Sequence, residues 1–347
     1  MASNVDTELD LLEMLVAERR ANTPARIVRP MRKAVVLASF SDSNCWELFR
    51  FRRHDLEKLL QLFQFPPQIK LPNGSTSTDE EALLVLLRRL SYPGRLCELE
   101  LELGVDRTTL SRIVNYANNF LFEKFHHLWE DGLAQWAEEL PHFCAAVSAI
   151  TGEDNRVFGF LDGTFRPTAR PSGNNAVQRA VYSGYKRGCG LKFQAVVLPN
   201  GIIADLFGPV TGRHHDGYMV ERSRLRERLA VMQQGIDPPC KLYADAAYAP
   251  FEFLRRAHRL PRTEQERDEN RVMSTVRVTI EWAFGQVVDV FAFCDFKKNF
   301  KLQLQPVGKL YPTAVFLTNV RTCLYGSNIS KFFDVLPPSL ERYLQVV

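Results

Sequence analysis

The chain has 347 residues, of which 46% are hydrophobic and 24% are charged, as in a globular protein with at least one large core. No apolar run approaches the roughly 18–20 residues that a membrane-spanning helix requires, and the acidic N-terminus argues against a signal peptide. The net charge of +4 is uneven: residues 1–150 carry 17 Lys and Arg against 21 Asp and Glu, and the remainder carries 27 against 19.

The cysteines predict an intracellular protein with reduced thiols. They number seven, they are scattered along the chain, and no two form a Cys-x-x-Cys pair. This spacing favours neither a disulfide framework nor a structural zinc site.

The first 75 residues are predicted to be a helical region followed by a linker. Helical spacing of apolar residues fits Val5–Arg19 and Arg53–Phe63. An irregular basic linker at 23–33 separates them, and the prolines and small polar residues over 66–78 predict a loop.

Residues 76–145 are predicted to form a helical domain. Thr78 starts an apolar helix over Glu80–Leu90, and the segment Arg95–Leu103 fits either a strand or a helix. Gly104 then supplies a tight turn, and Asp106 is a good N-cap for the next helix.

The helix after Asp106 has an apolar face and a polar face, the layout of a helix-turn-helix motif. Its apolar face is formed by Leu110, Ile113, Val114 and Ala117. Its polar face, the candidate DNA contact, carries Arg107, Thr108, Ser111 and Arg112. A three-helix bundle with a purely structural role is the alternative.

After residue 155 the pattern of apolar residues predicts strands in place of helices. A buried strand, Val157–Leu161, ends at Asp162-Gly163, where the sequence predicts a turn. Two further strands, Gly190–Leu198 and Ile202–Phe207, flank Asn200-Gly201, a strong hairpin signal. Seven Lys and Arg surround the single acid Asp162 between residues 155 and 200, which suits a polyanionic substrate or a solvated basic face.

The second half of this region alternates helices with one strand. The sequence predicts helices over Glu221–Gln233, Ser274–Phe291 and Thr313–Leu324, a strand over Lys241–Asp245, and a polar loop over Arg262–Asn270. Residues 150–335 are therefore predicted to be an α/β domain built on a mixed sheet.

Three carboxylates in this domain are candidates for one shared site. Asp162 and Asp245 end strands, and Glu281 lies on the long helix. Carboxylates brought together resist ionisation unless they bind cations, and two divalent ions can activate the attacking oxygen and stabilise the leaving one at phosphorus. Each acid also has a simpler explanation: a turn, a cap, or pairing of Glu281 with Arg277.

The run His214-His215-Asp216 has three interpretations. The first is a structural loop, and the second is an accessory contact in which Asp216 and His215 touch substrate or metal. The third, a zinc site, is the least favoured, because neighbouring residues rarely point at one ion. The basic residues Lys186, Arg187 and Lys192 are candidate DNA contacts.

Residues 78–325 resemble the DDE endonuclease region of PIF/Harbinger-type transposases and their domesticated relatives. The similar segments are Leu-Asp162-Gly-Thr, Gly212-Arg-His-His-Asp216, Ala-Asp245-Ala-Ala-Tyr248 and Arg277-Val-Thr-Ile-Glu281-Trp-Ala-Phe-Gly285. The resemblance implies an RNase H-like fold and a metal-binding catalytic triad of Asp162, Asp245 and Glu281 with two Mg²⁺ or Mn²⁺ ions. One departure is Ala246-Ala247, where the family has a small polar residue and Gly.

The resemblance also implies a substrate, a partner and a cellular location that the residues alone do not indicate. It implies a DNA substrate, a Myb-like DNA-binding partner, a nuclear location and a possible homodimer. Two alternatives to a DNA endonuclease stay open. The first is a catalytically silent, domesticated adaptor that binds DNA or chromatin, and the second is an RNase H-like nuclease that acts on RNA.

Overall fold

The computed structural model describes residues 35–152, 154, 156–172, 175–302 and 304–345, which form two compact units. Unit 1 comprises the described residues up to Glu123, Pro167–Arg179 and Val290–Thr313. Unit 2 comprises Lys124–Arg166, Ala180–Asp289 and the described residues from Ala314 onward. The helix predicted for Val5–Arg19 and the basic linker at 23–33 lie outside the described residues.

The first part of unit 1 is mainly helical. Its elements are α1 (Asp42–Phe49), α2 (Arg53–Phe63), β1 (Gln68–Lys70), β2 (Thr76–Thr78), α3 (Asp79–Ser91), α4 (Leu96–Leu103) and α5 (Arg107–Phe125). Helix α2 has the predicted bounds. The predicted loop at 66–78 instead contains the antiparallel β1–β2 hairpin, which turns at Gly74 with φ +78° and buries Ile69.

The ambiguous segment 95–103 is helical because its burial follows helical spacing. Leu99 and Leu103 are buried, whereas Leu101 between them is 85% exposed. Gly104 ends α4 in the left-handed conformation (φ +65°), and its N–H donates to the carbonyl of Glu100 at 2.9 Å.

Helices α3 and α5 begin at the predicted caps. The Thr78 side chain accepts a hydrogen bond from the N–H of Glu81 at 3.1 Å. Asp106 Oδ1 accepts from the N–H groups of Thr108 and Thr109 at 3.1 and 3.0 Å. These side chains satisfy N–H groups that have no partner within their own helix.

The predicted faces of α5 are confirmed. Its apolar face, formed by Leu110, Ile113, Val114 and Ala117, is buried. On the polar face, Arg107 and Thr108 are exposed, and Ser111 and Arg112 are half-buried.

The remaining elements follow in chain order and lie mainly in unit 2. The helices are α6 (His127–Glu130), α7 (Leu140–Thr151), α8 (Asn175–Val181), α9 (Asp216–Arg222), α10 (Leu225–Met232), α11 (Glu264–Val290), α12 (Val307–Tyr325), α13 (Asn328–Phe332) and α14 (Leu340–Leu344). The strands are β3 (Val157–Pro167), β4 (Tyr182–Ser183), β5 (Gly188–Val197), β6 (Ile203–Thr211), β7 (Lys241–Ala244) and β8 (Leu254–Arg256). No helix in the described ranges is long and apolar enough to cross a bilayer.

The six strands β3–β8 form the predicted mixed sheet. The order is β4, β5, β3, β7 and β8, with β6 also paired to β5. Strand β7 is parallel to β3 and β8, whereas β4 and β6 are antiparallel to β5. The predicted hairpin turn joins β5 to β6 at Gly201, which has φ +83° and donates its N–H to Leu198 O at 2.9 Å.

Strand β3 does not end at Asp162, and the predicted turn at Asp162-Gly163 is therefore wrong. The strand continues through Gly163 to Pro167. The glycine serves close packing, because a Cβ atom at this position would lie 2.9 Å from Asp216 Oδ1. Tertiary packing here overrides the local turn preference of the Asp-Gly pair.

Two helices also differ from the predictions. The segment predicted as one helix over Glu221–Gln233 is divided between α9 and α10, because Arg224 adopts the left-handed conformation with φ +51°. Helix α12 begins at Val307, earlier than the predicted Thr313.

The predicted polar loop over Arg262–Asn270 is largely the start of α11. Thr263 Oγ1 accepts from the N–H of Glu266 at 3.1 Å, and Glu266 Oε2 accepts in return from the N–H groups of Arg262 and Thr263 at 2.6 and 3.2 Å. This reciprocal cap fixes the helix start. The first turns lack an apolar stripe, so periodicity does not reveal them.

Candidate functional site

Asp162 on β3 lies next to Asp245, the residue that directly follows the parallel strand β7. Leu161 of β3 pairs with Ala244 of β7, and each aspartate directly follows its member of that pair. Asp162 Oδ1 accepts the N–H of Gly163 at 2.7 Å. The structure thus brings together two of the three acids predicted to form the triad.

Burial dominates the electrostatics of Asp162. Its side chain is 22% exposed, and burial raises its pKa to about 6. The N–H of Gly163 and the charge of Arg277 lower the pKa, while the charges of Asp216 and Asp245 raise it further. The charges of Asp216 and Asp245 thus oppose ionisation of Asp162, and these three aspartates are called the carboxylate cluster.

Arg277 links Asp162 to the third predicted acid, Glu281. Its Nη1 lies 3.2 Å from Asp162 Oδ2, and its Nη2 lies 3.3 Å from Glu281 Oε1, four residues further along α11. The Glu281 side chain is 57% exposed. The alternative that Glu281 pairs with Arg277 is therefore observed, and the same guanidinium also neutralises Asp162.

Asp216 pairs with a lysine and packs against Gly163, the residue after Asp162. Lys192 Nζ lies 2.6 Å from Asp216 Oδ1 and donates to the carbonyl of His214 at 3.0 Å. Asp216 Oδ1 also occupies the space that a Cβ atom at Gly163 would need. Lys192, a candidate DNA contact from the sequence, is thus engaged within the site.

The two histidines have structural contacts. His215 precedes α9 and its Nδ1 accepts the N–H of Tyr218 at 3.2 Å, which makes it the N-cap. The ring of His214 stacks on the Tyr218 ring with centroids 4.0 Å apart. These contacts fit the structural-loop interpretation of the histidine pair, and the accessory role of His215 and Asp216 stays a prediction.

Two residues near Asp245, Tyr248 in the loop that follows it and Arg256 at the end of β8, have no role assigned from the sequence. Tyr248 is 1% exposed, and its hydroxyl has no hydrogen-bond partner among the described residues. Arg256 Nη1 donates to the carbonyls of Ala246 and Tyr248 at 3.3 and 3.1 Å, which fixes the loop. Tyr248 falls in a motif that carries the family resemblance, and this was its only signal in the sequence.

The other predicted DNA contacts occur in two places. Lys186 and Arg187 are exposed in the turn that joins β4 to β5. Tyr185 in the same turn is 90% exposed, with Lys186 Nζ 5.2 Å from its ring centroid. Arg107, Thr108, Ser111 and Arg112 lie on α5 in unit 1, where Arg107 Nε is 3.5 Å from Glu100 Oε2.

The donor chemistry of the carboxylate cluster fits a divalent cation. Carboxylate oxygens are the hard ligands that Mg²⁺ and Mn²⁺ prefer, and the buried hydroxyl of Tyr248 lacks a partner beside them. Within the described ranges, no three His, Cys, Asp or Glu side chains are gathered as a ready set of ligands. A cation shared by Asp162 and Glu281 therefore requires the Arg277 guanidinium to leave its place between them.

Comparison with known proteins relates part of the chain to a family of nucleases. Residues 161–319 match the family model described as DDE superfamily endonuclease. No curated protein and no solved structure matches the chain significantly. The segment that contains Asp162, Asp216, Asp245 and Glu281 is thus similar to the DDE superfamily endonucleases.

Proposed function

We propose that the chain is a metal-dependent DNA endonuclease of transposase type, or a domesticated derivative that retains this activity. The observation that carries the proposal is the adjacency of Asp162 on β3 and Asp245 directly after the parallel strand β7, within a segment similar to the DDE superfamily endonucleases. Neighbouring carboxylates repel each other, and divalent cations relieve that repulsion. The PIF/Harbinger family is the subfamily that we propose on the sequence motifs.

We also infer an RNase H-like fold for residues 150–335 and a helix-turn-helix motif before it. The mixed sheet, with antiparallel strands around β5 and parallel strands around β7, supports the first inference. The short helix α4, the left-handed Gly104 and the cap at Asp106 support the second.

Asp162, Asp245 and Glu281 are the residues that would hold two Mg²⁺ or Mn²⁺ ions. When bound, such ions supply electrostatic stabilisation of the charge that develops on phosphate during phosphodiester cleavage. Asp162 must be ionised to act as a ligand. Arg277 keeps Asp162 and Glu281 near each other in the absence of another cation.

The basic side chains have two proposed roles. Lys192 neutralises Asp216 and so limits the negative charge that an approaching DNA phosphate meets. Lys186 and Arg187, exposed on the β4–β5 turn, bind the phosphate backbone, and Tyr185 between the strands offers a stacking surface for a base. Arg107, Thr108, Ser111 and Arg112 are the proposed contacts of the N-terminal region.

The test is Mg²⁺-dependent nicking of supercoiled DNA. Asp162→Ala, Asp245→Ala and Glu281→Ala are each expected to lower nicking by at least a hundredfold. Asp268→Ala is the matched control, because Asp268 is an exposed acid on the same helix as Glu281. Among the contacts described, its carboxylate pairs only with Arg271, whose Nη2 lies 3.1 Å from Asp268 Oδ1. Unchanged nicking in all three site variants would contradict the proposal.

A catalytically silent adaptor is the second candidate, and the Arg277 bridge favours it. An internal guanidinium that neutralises Asp162 and Glu281 stabilises these acids without metal. Calorimetry with Mn²⁺ separates the two candidates: an adaptor binds duplex DNA but no Mn²⁺, whereas the endonuclease binds both.

Substrate, partners and location rest on the resemblance. We propose nuclear DNA as the substrate, a Myb-like protein as partner and a homodimer as the assembly. Cleavage of an RNA–DNA hybrid, compared with duplex DNA of the same sequence, distinguishes an RNA-directed nuclease from the DNA endonuclease.

A further inference from the structure

Two adjoining open cavities lie beside β8, the last strand of the sheet, and the start of β7. Their volumes are about 670 and about 470 Å³, and Lys241 and Arg255 line both of them. Most of the charged side chains in their lining are cations. We call this surface the basic cleft, and it is defined by Arg156, Lys241, Arg255, Arg256 and Arg259.

Strand pairing assembles the basic cleft from separate segments of the chain. The N–H of Lys241 donates to the carbonyl of Arg156 at 2.8 Å, so the start of β7 lies beside the residue that precedes β3. On its other side β7 pairs in parallel with β8, where Tyr243 is opposite Arg255. The sheet thus places cations that are distant in the sequence next to one another.

Four of the five cations of the cleft have no carboxylate partner among the described residues. Arg255 is the exception, because its Nη2 lies 2.9 Å from Glu269 Oε2. Arg256 donates to backbone carbonyls, and Arg156 Nη2 lies 3.7 Å from the thiol sulfur of Cys240. Neither kind of contact supplies a negative charge. Lys241 and Arg259 form no ion pair within the described part of the chain.

The acids around the cleft do not cancel this charge. Asp154 and Glu252 line the first cavity, but both are exposed and neither pairs with a cation of the cleft among the described contacts. The described residues that line the second cavity include no Asp or Glu. Glu266 and Glu269 reach His258 from α11. The cleft therefore keeps an excess of positive charge that a polyanion would neutralise.

The basic cleft and the proposed catalytic site are at opposite ends of β7. Lys241 begins the strand and Asp245 directly follows it. Parallel strands rise about 3.3 Å per residue, so the backbone positions of these two residues are roughly 13 Å apart. Each strand of a DNA duplex carries a phosphate about every 3.4 Å of helix axis, so this span corresponds to roughly four base pairs. The cleft is thus separate from the carboxylates but within reach of the same duplex.

We propose that the basic cleft binds the phosphate backbone of duplex DNA a few base pairs from the bond that is cleaved. The inference rests on the proposed function, which makes DNA the substrate. Cations distributed over two adjoining open cavities suit a row of phosphates better than one small anion. Such contacts fix the position of the duplex without reading its sequence.

Lys241→Gln combined with Arg259→Gln tests the cleft, because these substitutions remove two charges that have no carboxylate partner. Fluorescence anisotropy measures the affinity of the full chain for duplex DNA at several salt concentrations. Divalent metal is left out so that binding is measured without cleavage. We expect the slope of log affinity against log salt to fall by about two, since each phosphate contact contributes about one.

Two further variants separate charge at the cleft from other effects. Arg222→Gln combined with Arg226→Gln removes the same charge from exposed positions on α9 and α10, and we expect an unchanged slope. Lys241→Arg keeps the charge at the start of β7, and we expect the wild-type slope. An equal loss of slope in either of these variants and in the cleft variant would overturn the proposal.

Calorimetry with inorganic phosphate distinguishes a site for a free anion from a site for DNA. Phosphate binding that the cleft variant loses, together with an unchanged DNA slope, overturns the assignment to DNA.

The outcomes for the cleft and for the proposed function are distinguishable. An unchanged slope in the cleft variant overturns the role of the cleft, whereas the nicking assay still decides the proposed function. A reduced slope in a protein that nicks no DNA supports the cleft and overturns only the endonuclease. Absence of duplex binding by the wild-type protein overturns both.

Discussion

Arg277 donates from Nη1 to Asp162 Oδ2 at 3.2 Å, and this ion pair connects α11 to β3 at the centre of the proposed site. A second nitrogen of the same guanidinium reaches Glu281. The arginine thus occupies a place that a cation shared by these two acids would take. Cation binding and the Arg277 contacts are expected to compete.

Arg277→Met tests this competition. Removal of the guanidinium charge is expected to strengthen Mn²⁺ binding about fivefold, roughly 1 kcal/mol, the scale of a partly exposed ion pair. Calorimetry measures the affinity, with Arg271→Met as control because Arg271 is exposed on the same helix. Weaker Mn²⁺ binding by Arg277→Met would show that the arginine assists the cation.

The raised pKa of Asp162 predicts a pH-dependent stability of the metal-free protein. The folded pKa is about 6 against an ordinary value of 3.8, so the folded protein binds more protons than the unfolded chain between these values. Stability from this group is therefore lost as pH rises from about 4 to 6, by up to about 3 kcal/mol.

Asp162→Asn removes this titration. Chemical denaturation at pH 4 and pH 7 is expected to give the variant a smaller loss of unfolding free energy than the wild-type protein. The same titration predicts that wild-type Mn²⁺ affinity increases between pH 5 and 7. An equal pH dependence of stability in both proteins contradicts the assignment of the pKa near 6 to Asp162.

Gly163→Ala tests the close approach of α9 to β3. The added Cβ atom would lie 2.9 Å from Asp216 Oδ1 and 3.2 Å from Met219 Cε. Overpacking of this kind costs about 1–3 kcal/mol of unfolding free energy and is expected to weaken Mn²⁺ binding by displacing Asp216.

Gly285→Ala is the control for this substitution. Gly285 lies within α11, and no atom lies within 4 Å of its added Cβ apart from its own helix and neighbours. Alanine at this position is expected to stabilise the fold by about 0.5–1 kcal/mol. Equal stability of the two alanine variants would contradict the packing role of Gly163.

The β4–β5 turn is expected to contribute to DNA affinity through charge. Lys186→Gln combined with Arg187→Gln should reduce the slope of log affinity against log salt by about two, since each phosphate contact contributes about one. Arg271→Gln serves as the control for loss of an exposed arginine elsewhere. Fluorescence anisotropy of duplex DNA at several salt concentrations measures the slope, and an unchanged slope excludes phosphate contacts at this turn.

Local sequence signals predicted the elements whose boundaries depend on neighbouring residues. The caps at Thr78 and Asp106 and the hairpin turn at Gly201 are confirmed, because each depends on one side chain or one left-handed glycine. The turn at Asp162-Gly163 was predicted by the same reasoning and is wrong. Pairing with β7 and packing against Asp216 override the local preference.

The candidate site was predictable in part. The resemblance predicted that Asp162, Asp245 and Glu281 share one site, and the parallel pairing of β3 with β7 brings the two aspartates beside each other. The Arg277 bridge to Asp162 joins residues that are far apart in the sequence. The lack of a partner for the Tyr248 hydroxyl depends on the side chains that surround it in the fold. No local pattern specifies such contacts.

The central claim is that the carboxylates at the ends of the paired segments of β3 and β7 bind divalent cations. Anomalous diffraction from crystals of the full chain with Mn²⁺ tests it most directly. The account predicts an anomalous peak in contact with Asp162 and Asp245, and an Arg277 side chain moved away from Asp162. Mn²⁺ bound only elsewhere, with the Arg277–Asp162 contact retained at saturating metal, would contradict it.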